Sequence, residues 1–251
     1  MGGYIQSFSK IKIMQFLGIL SLSFVLILSS CKVSNKSIQR QLKIEEGVSN
    51  PTTIEEIQDA IEKYDVRVRE TQMAMSQIGI WYKMLGNRYL DNKMYGEALK
   101  CFQKAVEYYP ANQNIYYYIG VCAGYMSKTA LDYGAVGSNT QKYNYLKLAE
   151  TAYLRALELD DRYTNAMFAV SILYVYELDE SEKAVPYLEK LLTIDTKHTD
   201  AMLLLGHAYY LTGQNDKAVS SYDNVIKYTK SAEKKEAAEN LKQQVLVGSG
   251  Y

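Results

Sequence analysis

Apolar and polar positions fall into distinct regimes along the chain. Residues 13–28, IMQFLGILSLSFVLIL, run for 16 positions without a charge. That is the length of an export-signal core and short for a membrane-spanning helix. The stretch from Lys32 to Asn50 is rich in Lys, Ser, Asn, Gln and Glu, as a solvated tether would be. Helical periodicity begins at residue 53. Ile54, Ile57, Ile61, Tyr64 and Val68 fall on one stripe, and Thr53-Ile54-Glu55-Glu56 has capping-box spacing behind Pro51. One helix is therefore predicted over 53–76. At the other end, Ser231 to Val247 is charged, with a sparse apolar stripe at Ala237, Leu241 and Val245. That pattern predicts a helix with one buried edge and one solvated face.

Between these two segments the pattern repeats. Gly86 is followed by Tyr89, Ala98, Phe102, Ala105 and Pro110. Gly120 restarts the frame, and Ala149, Tyr153, Ala156 and Asp161 complete it after 17 extra residues, placed at about 127–145. Ser171, Tyr174, Ala184, Leu188, Leu191 and Thr196 form a third copy with one extra residue. Gly206, Tyr209, Ala218, Tyr222, Val225 and Lys230 form a fourth. Each copy reads as two antiparallel helices: small residues where the helices cross closely, large ones filling the space between pairs. One pair cannot bury its own apolar face, so the copies must stack. Pro110 supplies a turn that Asp161, Thr196 and Lys230 signal less strongly, and Pro186 is expected near the start of its helix, where a missing N–H is tolerated.

This spacing resembles the tetratricopeptide repeat over about 79–230, in units 79–112, 113–163, 164–198 and 199–230. Segment 53–76 would stand ahead of them as the second half of a degenerate fifth unit, and 231–247 would close the array as a capping helix. The resemblance implies an all-α protein without strands, a right-handed α-α superhelix whose concave surface is lined by the first helix of each pair.

At the amino terminus Lys10 and Lys12 precede the apolar run, which ends in Leu28-Ser29-Ser30-Cys31. That ending resembles a bacterial lipobox: an aliphatic residue, two small residues and a cysteine. The resemblance implies that residues 1–30 are removed, that the Cys31 thiol receives a diacylglycerol, and that residues 31–52 tether the domain to a membrane outside the cytoplasm. Acyl chains at about 0.8 kcal/mol per buried methylene would anchor it firmly.

Composition narrows the chemistry. The chain balances 28 basic against 28 acidic residues, so bulk charge gives no reason to bind nucleic acid. Hydrophobic residues at 48% suffice for a core, and only 3 prolines suit long helices. Three cysteines exclude a disulfide scaffold and two histidines exclude a multi-histidine metal centre. Cys101 and Cys122 are expected as buried thiols, since a disulfide would need Cα atoms within about 7 Å. Asp160-Asp161 reads as a solvated turn between units. There is no phosphate-binding glycine loop, nucleophile elbow or metal-ligand motif, so no enzyme activity, cofactor or metal is expected.

The first helices carry the candidate binding surface. In the repeat frame its residues are Lys83, Asn87, Leu90 and Asp91, then Tyr117, Val121 and Tyr125, then Phe168, Ile172 and Tyr176, then Leu203, His207 and Tyr210. Family members that clamp a peptide carboxylate use a basic, Asn-rich set, which only Lys83 and Asn87 match. The aromatic remainder suits an extended apolar or proline-rich ligand. Two functions follow as expectations. The first is a membrane-anchored scaffold holding a protein or peptide partner in the cell envelope. The alternative is a transporter-associated binder of a small hydrophobic ligand, lidded by the insertion, whose Gly134, Gly137, Ser138 and Asn139 carry turn chemistry.

Overall fold

A computed structural model of the chain describes residues 51–130 and 140–248. The apolar run, Cys31 and all of the tether before Pro51 lie outside the described residues. Among the described residues all regular structure is helical: α1 Ile54–Asp91, α2 Tyr95–Tyr108, α3 Gln113–Thr129, α4 Thr140–Leu159, α5 Thr164–Tyr176, α6 Ser181–Ile194, α7 Thr199–Leu211, α8 Asn215–Tyr228 and α9 Ala232–Gly248. The chain divides into two compact units, residues 1–70 and 71–251.

In the first unit the described residues are the opening of α1. The capping box forms as the spacing predicts: Glu56 N–H donates to Thr53 Oγ1 at 3.2 Å, and Glu56 Oε2 accepts from Thr53 N–H at 3.1 Å. Thr52 N–H also donates to that carboxylate, at 2.8 Å, and is the main cause holding Glu56 below the usual carboxylate range. The helix does not stop near 76 but continues to Asp91. No proline interrupts it, and Gly79 and Gly86, at about 1 kcal/mol each, cost too little to end a helix of this length.

The second unit is an α-α solenoid of helix pairs, α2 packing on α3, α3 on α4, and so on to α9. Its organising contact is the crossing inside each pair. A Cβ placed on Gly86 would lie 2.9 Å from the Phe102 ring, on Gly120 2.4 Å from the Tyr153 ring, and on Gly206 2.6 Å from the Tyr222 ring. In the third copy the aligned positions are Ser171 and Leu188, both fully buried. The Ser171 hydroxyl donates to the Met167 carbonyl at 2.7 Å, so the one small polar residue in this series is satisfied by its own helix. Ala98, Ala149, Ala184 and Ala218 are all completely buried on the second helices.

Three sharp turns join first and second helices through one left-handed residue each: Lys93 at φ 59°, Asp179 at φ 55° and Gly213 at φ 73°. Met94 N–H then reaches back to the Tyr89 carbonyl and Gln214 N–H to that of Tyr209, both at 2.8 Å. The extra residue of the third copy falls here, since Glu180 N–H reaches the carbonyl of Tyr174, one residue further back. Between pairs, Asp160 accepts from Arg162 N–H at 3.0 Å and Asp195 from Lys197 N–H at 3.2 Å, one residue before the positions where the repeat frame looked for proline. Asp161 instead pairs with Lys190 at 2.9 Å.

Three further expectations shift. The rings of Phe102, Tyr153 and Tyr222, expected between neighbouring pairs, fill the crossing inside their own pair. Helices α3 and α4 extend into the 127–145 stretch from both ends, so Tyr143 and Tyr145 are helical; residues 131–139, with the four turn-forming residues, lie outside the described residues. Pro186 is the sixth residue of α6, a turn deeper than expected. Its missing N–H removes one bond that the helix would otherwise make, since only the first four N–H groups lack an intrahelical partner. Helix α9 closes the array by burying Ala238 and Val245, with Leu241 half-buried and Ala237 at the margin. Lys234 pairs with Asp200 and Lys242 with Asp223, both at 2.7 Å.

The crossing contact sets the first prediction. Gly206→Ala must displace the buried Tyr222 ring and should lower stability by about 1–3 kcal/mol. Adding Tyr222→Leu, as in the Ser171–Leu188 copy, should make the second change cost less than it does alone. Urea unfolding of the four members of this cycle measures both effects. Additive losses would contradict the contact.

Candidate functional site

The strip of candidate residues is built by the first helices and underpinned by the crossing residues. Helix α3 starts at Asn112, whose side chain caps it by accepting from Asn114 N–H at 3.1 Å. From that start Tyr117, Val121 and Tyr125 share one face. Helix α5 presents Phe168, Ile172 and Tyr176 on the same pattern. Helix α7 presents Leu203, His207 and Tyr210, and is capped by His198 Nδ1 accepting from Ala201 N–H at 3.1 Å.

A cavity of about 330 Å³ lies between α3, α4 and α5. Four candidates line it: Tyr117, Val121, Tyr125 and Ile172. Residues outside the predicted face complete its wall, namely Gly124, Ser127, Lys128, Leu146, Tyr153, Ala169, Leu173 and Glu177. Tyr153 is the ring that fills the Gly120 crossing, so the same side chain locks the helix pair and lines the cavity. The cavity is open to solvent on one side. Tyr125 is stacked on Tyr95 of α2, with centroids 4.3 Å apart and planes within 7°. Tyr95 was not foreseen because it opens a second helix; only its place opposite the end of α3 in an antiparallel pair could have flagged it.

A second aromatic group follows on α5 and α7. Tyr176 stacks on His207 at 5.7 Å, and burial, reinforced by Tyr176 and Tyr210, raises the phenol of Tyr222, the ring of the Gly206 crossing. Tyr176 is 60% exposed, Tyr125 45% and Tyr210 41%, so these rings face solvent as a binding strip requires. Phe168 lies 5.1 Å from His198, and Leu203 packs partly on the core. Lys83 and Asn87, half-buried on α1, are not among the cavity's lining residues.

The electrostatics are those of a neutral surface. Burial, reinforced by Tyr118 and Tyr125, raises the Tyr117 phenol, and burial raises Tyr153 and Tyr176. All three stay protonated donors at neutral pH. Burial lowers His207, which favours the neutral imidazole. Lys128 and Glu177 supply the formal charges on the cavity wall, and Glu177 is paired with Lys142 at 3.4 Å. Cys122 is buried and pushed up to about 12, so it offers no thiolate. Cys101 and Cys122 are both free thiols. Among the described residues no group of three His, Cys, Asp or Glu side chains is placed to hold a metal.

Comparison with known proteins identifies the repeats. Residues 80–112 and 177–244 match the tetratricopeptide repeat. A tetratricopeptide repeat-containing protein of Borreliella burgdorferi is 28% identical over 202 residues, covering 80% of this chain and 85% of its own. Among solved structures, a tetratricopeptide repeat protein of Parabacteroides merdae superposes with a TM-score of 0.56 at 17% identity, covering 68% of this chain and 61% of that one. A tetratricopeptide protein of Thermus thermophilus gives 0.53 at 18%, covering 76% and 97%. YrrB, described as having an unusual peptide-binding site, gives 0.51 at 22%, covering 79% and 97%.

His207 generates a pH prediction. Its folded pKa lies below the unfolded value of about 6.5. As pH falls through that value the unfolded chain takes up the proton first. The stability contribution is therefore complete above the unfolded pKa and is lost as pH falls towards the folded one. Between pH 7.5 and 5.5 the native sequence should lose more stability than His207→Gln, read from urea midpoints. Parallel losses would show that the imidazole is not desolvated.

Proposed function

We propose that this tetratricopeptide protein is a lipid-anchored scaffold that holds an extended peptide or protein partner in the cell envelope through its aromatic strip. The observation that carries the reading is the row of half-exposed rings on successive first helices, Tyr117 and Tyr125, then Phe168 and Tyr176, then His207 and Tyr210, beside an open cavity. An open, ring-lined surface suits a ligand that runs across several repeats. Tyr rings give large contact area with few rotatable bonds, and their hydroxyls set hydrogen-bond register. YrrB shows that a peptide-binding site occurs on this fold. With so few charges in the strip, affinity should change little with salt.

The envelope address rests on Lys10, Lys12, the apolar run and Leu28-Ser29-Ser30-Cys31. In this reading an anchor at Cys31 supplies the attachment; no helix among the described residues is long and apolar enough to cross a membrane. The cavity itself supports a second reading. At about 330 Å³ it sits at the lower bound of small-ligand pockets, roughly 300–1,000 Å³. A small apolar ligand delivered to a transporter is the occupant that reading gives the cavity; the lid expected of the insertion falls on residues 131–139, outside the described residues.

Two experiments test these readings. Cys31→Ala should abolish incorporation of labelled fatty acid and release the protein from the membrane fraction; undiminished label would refute the anchor. Tyr125→Ala with Tyr176→Ala should weaken capture of the envelope partner by about 2 kcal/mol or more while leaving the helical content intact. Unchanged capture would remove the strip from consideration. Retained partner binding together with loss of an extractable apolar ligand would favour the small-ligand reading.

A further inference from the structure

Helix α1 carries a second pattern, distinct from the repeat frame. Ile54, Ile57, Ile61, Tyr64, Val68, Thr71, Met75 and Ile78 are spaced alternately by three and four residues. That is an uninterrupted heptad alternation, the period of a coiled-coil seam rather than of a helix packed on a globular core. The structure leaves the seam uncovered. Ile54 is 72% exposed, Ile61 63%, and Val68 and Met75 51% each. Ile57, Tyr64 and Ile78 are exposed as well. The charged residues of 54–70 sit mainly off the seam, where Lys63 pairs with Asp59 at 2.6 Å and Arg69 with Asp65 at 3.2 Å along the same helix.

We propose that α1 pairs with α1 of a second copy of this chain, as a parallel, in-register two-stranded coiled coil over 54–78. Four considerations select that occupant. A heptad seam is complementary to a like seam, which another copy of the chain supplies without a further partner. At a stand Ile54, Ile61 and Val68, β-branched as two-stranded parallel coils prefer, and Met75; at d stand Ile57, Tyr64, Thr71 and Ile78, so only the first heptad carries the isoleucine-at-both-positions set that favours more strands. The flanking g-to-e pairs in that register are Ala60, which this chain already buries, with Asp65, and Arg67 with Gln72, so no like charges meet; Gly79, packed under Tyr108 and Tyr109 of α2, ends the seam. The exposed surface of the seam side chains comes to roughly 700 Å² per chain, near the roughly 800 Å² per partner of a standard interface. A single helix with this much apolar surface in water lacks the packing that gives helices most of their stability.

The test uses the full-length chain in density-matched detergent. Sedimentation equilibrium should give a dimer, and Ile61→Lys with Val68→Lys should weaken the association roughly 100-fold or more, leaving a monomer at micromolar concentration. In the otherwise native chain, Ile61→Cys should form an intermolecular disulfide at that residue on mild oxidation, mapped by peptide mass, and Glu62→Cys on the adjacent face should not. A native chain that is monomeric, or trimeric or larger, overturns the proposal. So does a lysine variant that remains dimeric, or equal crosslinking at 61 and 62. Should the lysine variant lose its helical content, the cysteine pair decides alone, because both of its positions are solvent-exposed on one helix.

Discussion

The approach of a large side chain on one helix to a residue without a side chain on its partner governs the second unit. Phe102, Tyr153 and Tyr222 occupy the space that a Cβ on Gly86, Gly120 or Gly206 would need. A contact of that kind sets the distance and angle at which a helix pair can close, because interiors are packed tightly enough that one methyl group is felt. Two of these rings also reach the functional surface. Tyr153 lines the cavity, and Tyr222 lies beside the Tyr176–His207–Tyr210 group. The geometry of the candidate site is thus set by the same atoms that hold the pairs together, which is why a strip on three separate helices can keep a fixed spacing.

Stacking the pairs adds a second kind of bond. Tyr174 donates to Glu150 at 3.0 Å and Tyr209 donates to Glu189, each hydroxyl reaching back to the second helix of the preceding copy. Lys183 and Lys217 cover the same two rings at 5.6 and 5.1 Å. A phenol buried without a partner would cost free energy; one donated to a carboxylate under a lysine is satisfied on both its apolar and polar parts. These clamps fix how one copy sits on the next.

The repeat frame was legible because small and large residues alternate at fixed intervals, and intervals survive drift in residue type. Ser171 with Leu188 can replace glycine with an aromatic ring and the frame still reads through. The start of each first helix, at Gln113, Thr164 and Thr199, follows from the same count. The inter-repeat turns were less legible because Asp160 and Asp195 do their work one position before the expected proline. The repeat frame opens a unit at 79 and so hides the length of α1, although the apolar spacing continues through Ile78, Tyr82, Leu85 and Tyr89 and nothing between them breaks the backbone. The candidate strip could be placed on a helix face by spacing alone, but spacing treats each helix separately. It could not foresee that Tyr95 would cross from a second helix to stack on Tyr125, or that Lys128 and Glu177 would flank the cavity.

Tyrosine, at 24 residues against 5 phenylalanines, reconciles these demands. An exposed strip of phenylalanines would be an aggregation hazard, whereas a tyrosine can keep its hydroxyl in water while its ring waits for a ligand. Inside, Phe102 needs no polar partner and is completely buried, while the buried tyrosines of the stacking contacts each find a carboxylate. The residue that fills gaps within the solenoid is therefore the one that can also stand at its surface. Structure and recognition draw on one side-chain chemistry, and burial decides which role each ring takes.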